Sequence, residues 1–322
     1  TPLPPPRPHS NQLFIFFIYI YVRIYVIWFL MKIGLINIDS KIPNIALMKL
    51  SAYHKARGDK VEWWKGVLFH SQYDKVYASK VFDFSELPLY MPGDVEIGGS
   101  GYDIKKRLPG EIEYLCPDYD LYPDCDYSIG FLTRGCPRKC GFCKVPEKEG
   151  NIVFNQTWNR FRNPNGKHWV FLDNNILAYK NHQYIFRRII KDKIEIDFNQ
   201  GMDIRLVTPE AADLLSQIKW KRFLRFSFDH IKMDKFVEKK VGLLVESGIK
   251  AYRLFFYVLI GYNSTEEEDL YRVELLRGLG VDMFVMPYNK SDLYQMRFAR
   301  WVNRKAIFKT VAWKDYKRSK PM

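Results

Sequence analysis

From Tyr127 onward the sequence alternates short β-branched and aromatic runs with longer amphipathic stretches, and this alternation limits the fold more than any other feature. Strands are expected at Tyr127–Leu132, His168–Leu172, Ile194–Phe198, Phe223–Phe228, Tyr252–Ile260 and Asp282–Met286. Helices are expected between the last five, at Ala178–Lys191, Pro209–Ile218, Lys232–Ser247 and Thr265–Leu279, with a final one at Asp292–Asn303. Strands separated by crossover helices build parallel sheets. Six of them point to an α/β fold of the partial (β/α)6 barrel type, with its chemistry at the strand C-termini.

A shorter β-α-β pattern comes first. Lys32–Asp39 reads as a buried strand, Asn44–Arg57 as a helix, and Lys60–Trp64, Tyr73–Ala78 and Asp94–Ile97 as further strands, which suggests a small Rossmann-like open parallel sheet. Gly98, Gly99 and Gly101 lack a GxGxxG spacing and no long helix follows them, so a turn fits better than a dinucleotide site. The Pro-, Asp- and Tyr-rich stretch from Cys116 to Asp126 reads as a linker. The expected division is an apolar extension (1–30), a Rossmann-like domain with its linker (31–125), the barrel (126–296) and a basic C-terminal segment (297–322).

Leu13 to Leu30 is almost unbroken in its apolar character, with Arg23 inside it. Its length is near the lower limit for a spanning helix, and a central Arg costs about 2.5–3.5 kcal/mol on insertion scales. No small-residue cleavage site follows, and Met31 opens a clean strand. An upstream extension foreign to the fold is favoured over a membrane anchor.

Five cysteines in 322 residues do not make a disulfide scaffold. Three of them, Cys136, Cys140 and Cys143, follow the first barrel strand with C-x3-C-x2-C spacing. A loop of that length can wrap three thiolates around one face of a cubane cluster and leave one iron for a non-protein ligand. Structural zinc usually takes four ligands, often in paired CxxC knuckles, so the spacing favours a cluster and a reducing compartment such as the cytoplasm. Cys116 and Cys125 read as ordinary buried thiols.

The segment Cys136-Pro137-Arg138-Lys139-Cys140-Gly141-Phe142-Cys143 resembles the signature of radical S-adenosylmethionine enzymes, including the aromatic Phe142 before the third cysteine. The resemblance spans about residues 126–290. It implies a [4Fe-4S] cluster whose open iron chelates S-adenosyl-L-methionine, a reductant such as a flavodoxin or ferredoxin, and a 5′-deoxyadenosyl radical that abstracts hydrogen from a substrate. Cofactor contacts are expected from residues at the strand ends. At the second strand, where the family often carries Gly-Gly-Glu, Asp173 or Asn175 would bind the methionine amino group; an Asx cap on the next helix is the alternative. Gln200, Asp203 and Arg205 follow the third strand as cofactor or substrate contacts, or as an Asp–Arg pair that orders the loop. Ser227, with Asp229, ends the fourth strand facing the lumen, and His230 reads as a helix-start residue. Gly261 would let backbone approach the adenine, and Met286 would pack on it.

The resemblance includes a methylthiotransferase-like branch that modifies RNA or protein, and an N-terminal domain similar to a degenerate cobalamin-binding-type domain. No Asp-x-His-x-x-Gly segment occurs there, so cobalamin is not expected. The competing class is a non-catalytic iron–sulfur binding or sensing protein, membrane-tethered if Leu13–Leu30 is an anchor. Net charge is +14, and Arg297 to Lys320 holds nine basic residues against Asp315. Trp301, Phe308, Trp313 and Tyr316 interleave with them. That pattern suits single-stranded RNA, with a solvated basic tail as the alternative.

Overall fold

The computed structural model describes residues 30–316, so the apolar run Leu13–Leu30 lies outside the described residues apart from Leu30, as do Lys317, Arg318 and Lys320. The chain divides into two compact units between Tyr122 and Pro123, inside the expected linker. Both are mixed α/β with parallel sheets. Among the described residues no helix is long and apolar enough to cross a membrane.

The first unit orders four parallel strands as β2-β1-β3-β4: β1 Lys32–Asn37, β2 Lys60–Trp63, β3 Lys75–Ser79 and β4 Glu96–Gly98. Helix α1, Ile45–Ala56, is capped by Asn44, whose side chain accepts from the Leu47 amide and donates to Ser79 Oγ. Ile33 and Leu35 of β1, Val76 and Ala78 of β3, and Leu47 and Met48 of α1 are buried. The glycine cluster is a turn. A Cβ on Gly99 would stand 2.2 Å from the Lys80 carbonyl oxygen and one on Gly101 would stand 2.3 Å from the Phe82 backbone, so close chain packing accounts for both.

The second unit carries β5 Tyr127–Gly130, β8 His168–Phe171, β9 Glu195–Phe198, β11 Leu224–Ser227, β12 Leu254–Ile260 and β13 Asp282–Pro287. One parallel sheet runs β5, β8, β9 and a two-residue β10 at Lys219–Trp220; the other runs β11, β12, β13. A parallel bridge between Met202 and Phe226 joins them, with the Met202 amide donating to the Arg225 carbonyl at 2.9 Å. The six expected strands therefore follow one another in chain order. Crossover helices α2 His182–Lys191, α3 Pro209–Gln217, α4 Asp234–Glu246 and α5 Glu266–Gly278 separate the later ones. Phe171, Phe198, Phe226, Phe256 and Val285 from successive strands are fully buried.

Two features depart from expectation. Asn175 leads a 3-10 turn, Ile176–Ala178, without a side-chain capping bond, and α2 begins only at His182, so the expected Asx cap is absent. Helix α6, Leu293–Asn303, is followed by an extra helix α7, Lys305–Thr310. Asn303 exchanges side-chain hydrogen bonds of 2.8 and 2.9 Å with the Val285 amide and carbonyl, which satisfies the open edge of β13. Trp301, Phe308 and Tyr316 are buried, and Trp313 packs on Trp301 and Phe298. Trp301, Phe308 and Tyr316 therefore belong to the core, and Trp313 lies partly buried against it. The thiols also differ from expectation: Cys116 is exposed, and Cys125 is half-buried with Sγ 3.3 Å from the Tyr127 carbonyl.

Candidate functional site

The cysteine segment leaves the C-terminal end of β5 and returns as an antiparallel ribbon, β6 Thr133–Arg134 against β7 Val153–Phe154. Its base is fixed by polar contacts. Arg134 binds Glu149 bidentately at 2.6 and 2.8 Å, and the Cys136 amide donates to the Gly150 carbonyl. Gly135 has φ +88°, and a Cβ there would stand 2.3 Å from the Asn151 carbonyl oxygen, so the loop requires glycine.

Asp173 is buried at the end of β8 and accepts from the Leu132 amide (3.0 Å), the Thr133 amide (2.6 Å) and Thr133 Oγ1 (2.7 Å). Burial pushes its carboxyl up to about 6 despite those three donors. Its observed contacts are to the root of the cysteine loop, where a contact to the methionine amino group was the expectation. Asn174 Oδ1 accepts from the Gly135 amide at 3.0 Å. Asn175 reaches the cysteines: its Nδ2 lies 3.6 Å from Cys136 Sγ, and its Oδ1 accepts from the Asp203 amide. The strand end Asp173-Asn174-Asn175 is thus a scaffold for the loop.

Asp203 is buried and takes two bonds from Arg205, at 2.7 and 2.9 Å, and a third from Arg138 Nε at 2.8 Å. Burial would raise its carboxyl, but Arg205 and Arg138 outweigh that and hold it below the usual carboxylate range. Arg205 is raised in turn, chiefly by its bond to Asp203. The loop-ordering alternative is therefore the observed arrangement, and through Arg138 it ties the third strand end to the cysteine segment. Gln200 is exposed.

On the far side, Phe142 meets the Tyr262 ring edge-on at 5.3 Å, and Tyr262 meets Tyr288 at 4.9 Å. Gly261 has φ +74°, and its missing Cβ makes room for the Gln295 side chain, 2.2 Å from where that Cβ would stand. Met286 is half-buried, in register with Leu259 on β12. Ser227 bonds Asp229, whose carboxyl is raised first by burial and interacts with Arg205 and Arg272. His230 accepts from the Lys232 amide and caps a short turn, as expected.

All three cysteines are free and half-buried. The Arg138 and Val145 amides lie 3.5 Å from Cys136 Sγ and Cys143 Sγ, the N–H···S contacts that steady a ligating sulfur. The Cys140 thiol is pushed up by burial and then by Cys143, Asp229 and Cys136, and the Cys143 thiol by burial and then by Cys136 and Asp229. A metal taken up there would displace their protons. Among the described residues no three His, Cys, Asp or Glu side chains are gathered closely enough to cage a single ion. The donor set, three thiols on one loop with N–H groups turned to two of them, fits an iron–sulfur cluster. Comparison with protein families, with curated proteins and with solved structures finds no match to this chain.

Sequence reasoning missed Arg138 and Asn174, and it placed Asp229 beside Ser227 at the lumen without giving it a contact. Arg138 sits between the first two cysteines, where its role depends on the third strand end arriving beside it. Asp229 carries a weak sequence signal, an acid directly after buried Phe228 at a strand end.

Proposed function

We propose that the chain is a radical S-adenosylmethionine enzyme built on a partial (β/α)6 barrel. The reading is carried by one coincidence: the C-x3-C-x2-C loop emerges from the C-terminal end of the first of six parallel strands arranged in chain order. Cys136, Cys140 and Cys143 would hold a [4Fe-4S] cluster. With S-adenosylmethionine bound, that group supplies reductive cleavage of the cofactor and hydrogen abstraction from a substrate. The chain's own residues shape the surroundings. Asn175 and the Arg138 and Val145 amides steady two sulfurs, the Asp203 cluster fixes the loop, and the Phe142–Tyr262–Tyr288 rings shield one side.

Gln200, Arg205, Ser227 and Met286 remain the proposed cofactor contacts, with Asp229 added because it bonds Ser227 and its charge acts on both Cys140 and Arg205. The substrate class, RNA or protein in a methylthiotransferase-like reaction, follows from the resemblance alone. Full chain reconstituted without oxygen and given S-adenosylmethionine and dithionite should release 5′-deoxyadenosine, and Cys140→Ala should release none. A loaded cluster without any 5′-deoxyadenosine would instead make the chain an iron–sulfur binding or sensing protein.

A further inference from the structure

The second unit has a cavity of about 300 Å³ outside the cysteine site, at the root of the β6–β7 ribbon. Four aromatic rings form much of its apolar wall. Phe154 of β7 and Tyr179 stand 6.2 Å apart at 32°, Tyr184 of α2 joins them, and buried Trp158 completes the apolar part. Phe154 and Tyr184 are about half and two-thirds exposed, at 47% and 63%, more than a monomeric core would leave in one place. The β7 wall is held rigid, because Asn155 donates to the Leu132 carbonyl through its amide and to the Phe131 carbonyl through its side chain.

The polar lining has one sign. Arg188 reaches into the same cavity from α2, and its nearest acid, Asp192, is 3.9 Å away at the limit of an ion pair. Between positions 180 and 193 lie Lys180, Arg187, Arg188, Lys191 and Lys193 against Asp192 alone, and Arg160 follows the lining residue Asn159. Two neutral amides, Asn159 and Asn181, and the Thr157 hydroxyl supply the remaining polar edge. Planar apolar walls, hydrogen-bonding amides and a loosely held guanidinium match a flat heterocycle that carries an anionic group.

We infer that this cavity binds a nucleoside monophosphate, either free or as the phosphorylated end of an RNA strand. The base packs among Phe154, Tyr179 and Tyr184, and the phosphate meets Arg188. The site does not depend on the cluster reading, and the metal-free full chain tests it.

Isothermal titration with UMP, AMP, uridine and adenosine is the measurement. Saturable binding of a monophosphate is expected, with its nucleoside at least about tenfold weaker. Arg188→Gln should weaken the monophosphate by at least about tenfold, Arg188→Lys should recover part of the loss, and Tyr184→Ala should weaken nucleoside and monophosphate alike. Both side chains are exposed, so the variants should melt with the parent. A 5′-phosphorylated RNA tetranucleotide that binds more tightly than UMP, and loses the advantage without its 5′-phosphate, identifies an RNA end; no advantage identifies the free nucleotide. Nucleosides binding as well as monophosphates, Arg188→Gln leaving affinity unchanged, or no saturable binding up to about 5 mM (about 3 kcal/mol) would each overturn the assignment.

Discussion

Asp173 has three donors aimed at a carboxylate that burial nonetheless raises to about 6. In the unfolded chain such a group titrates near about 4. Ionisation is therefore penalised in the fold: stability is greatest below about pH 4 and falls as pH rises through about 6, by about 3 kcal/mol for a two-unit shift. Asp173→Asn removes that slope and turns an amide donor toward the Leu132 or Thr133 amide. It should destabilise the second unit by about 1–3 kcal/mol at neutral pH. Its deficit relative to the parent should be larger at pH 4, as urea unfolding at the two pH values would show. Gly135→Ala forces a Cβ to 2.3 Å from a carbonyl oxygen at φ +88° and should abolish iron loading while leaving the first unit's melting unchanged. Iron content and calorimetry check both halves. At this scale the cysteines and Phe142 were legible because their spacing is local. Asp173, Asp203 and Gly261 were legible as important but not in their partners, since Thr133, Arg138 and Gln295 arrive from distant segments.

Strand positions were readable to within a residue or two because buried β-branched and aromatic runs leave little choice. The start of α2 was not. The apolar Ile176-Leu177-Ala178 run imitates a helical face but forms a 3-10 turn buried against the core. The last elements misled for a related reason: charge and rings alternate along α6 and α7, yet the rings turn inward and the charges outward. Trp301→Ala should therefore cost about 3–5 kcal/mol in the second unit's stability, read by denaturant unfolding. A converse test lies in α4, where Gly242 sits mid-helix with open space around its missing Cβ. Gly242→Ala should raise stability by about 0.5–1 kcal/mol.

Across the whole molecule, the +14 charge draws polyanions without specifying one. With Trp301, Phe308 and Tyr316 buried, RNA binding by the C-terminal segment would rest on phosphate contacts from exposed groups such as Arg300, Arg304, Lys309 and Lys314. Its affinity should then be insensitive to base identity, and Lys314→Glu should flatten the salt dependence by about 0.7 in log–log slope, as filter binding would show. The catalytic proposal does not depend on that surface. It depends on three thiols around one cluster with an iron left for S-adenosylmethionine. The most direct measurement is electron paramagnetic resonance of the anaerobically reconstituted, dithionite-reduced full chain, with and without S-adenosylmethionine, alongside Cys136→Ala, Cys140→Ala and Cys143→Ala. The parent should give a [4Fe-4S]+ signal that S-adenosylmethionine shifts, and each variant should lose it. A signal that ignores S-adenosylmethionine, or one that survives in Cys140→Ala, would contradict the account.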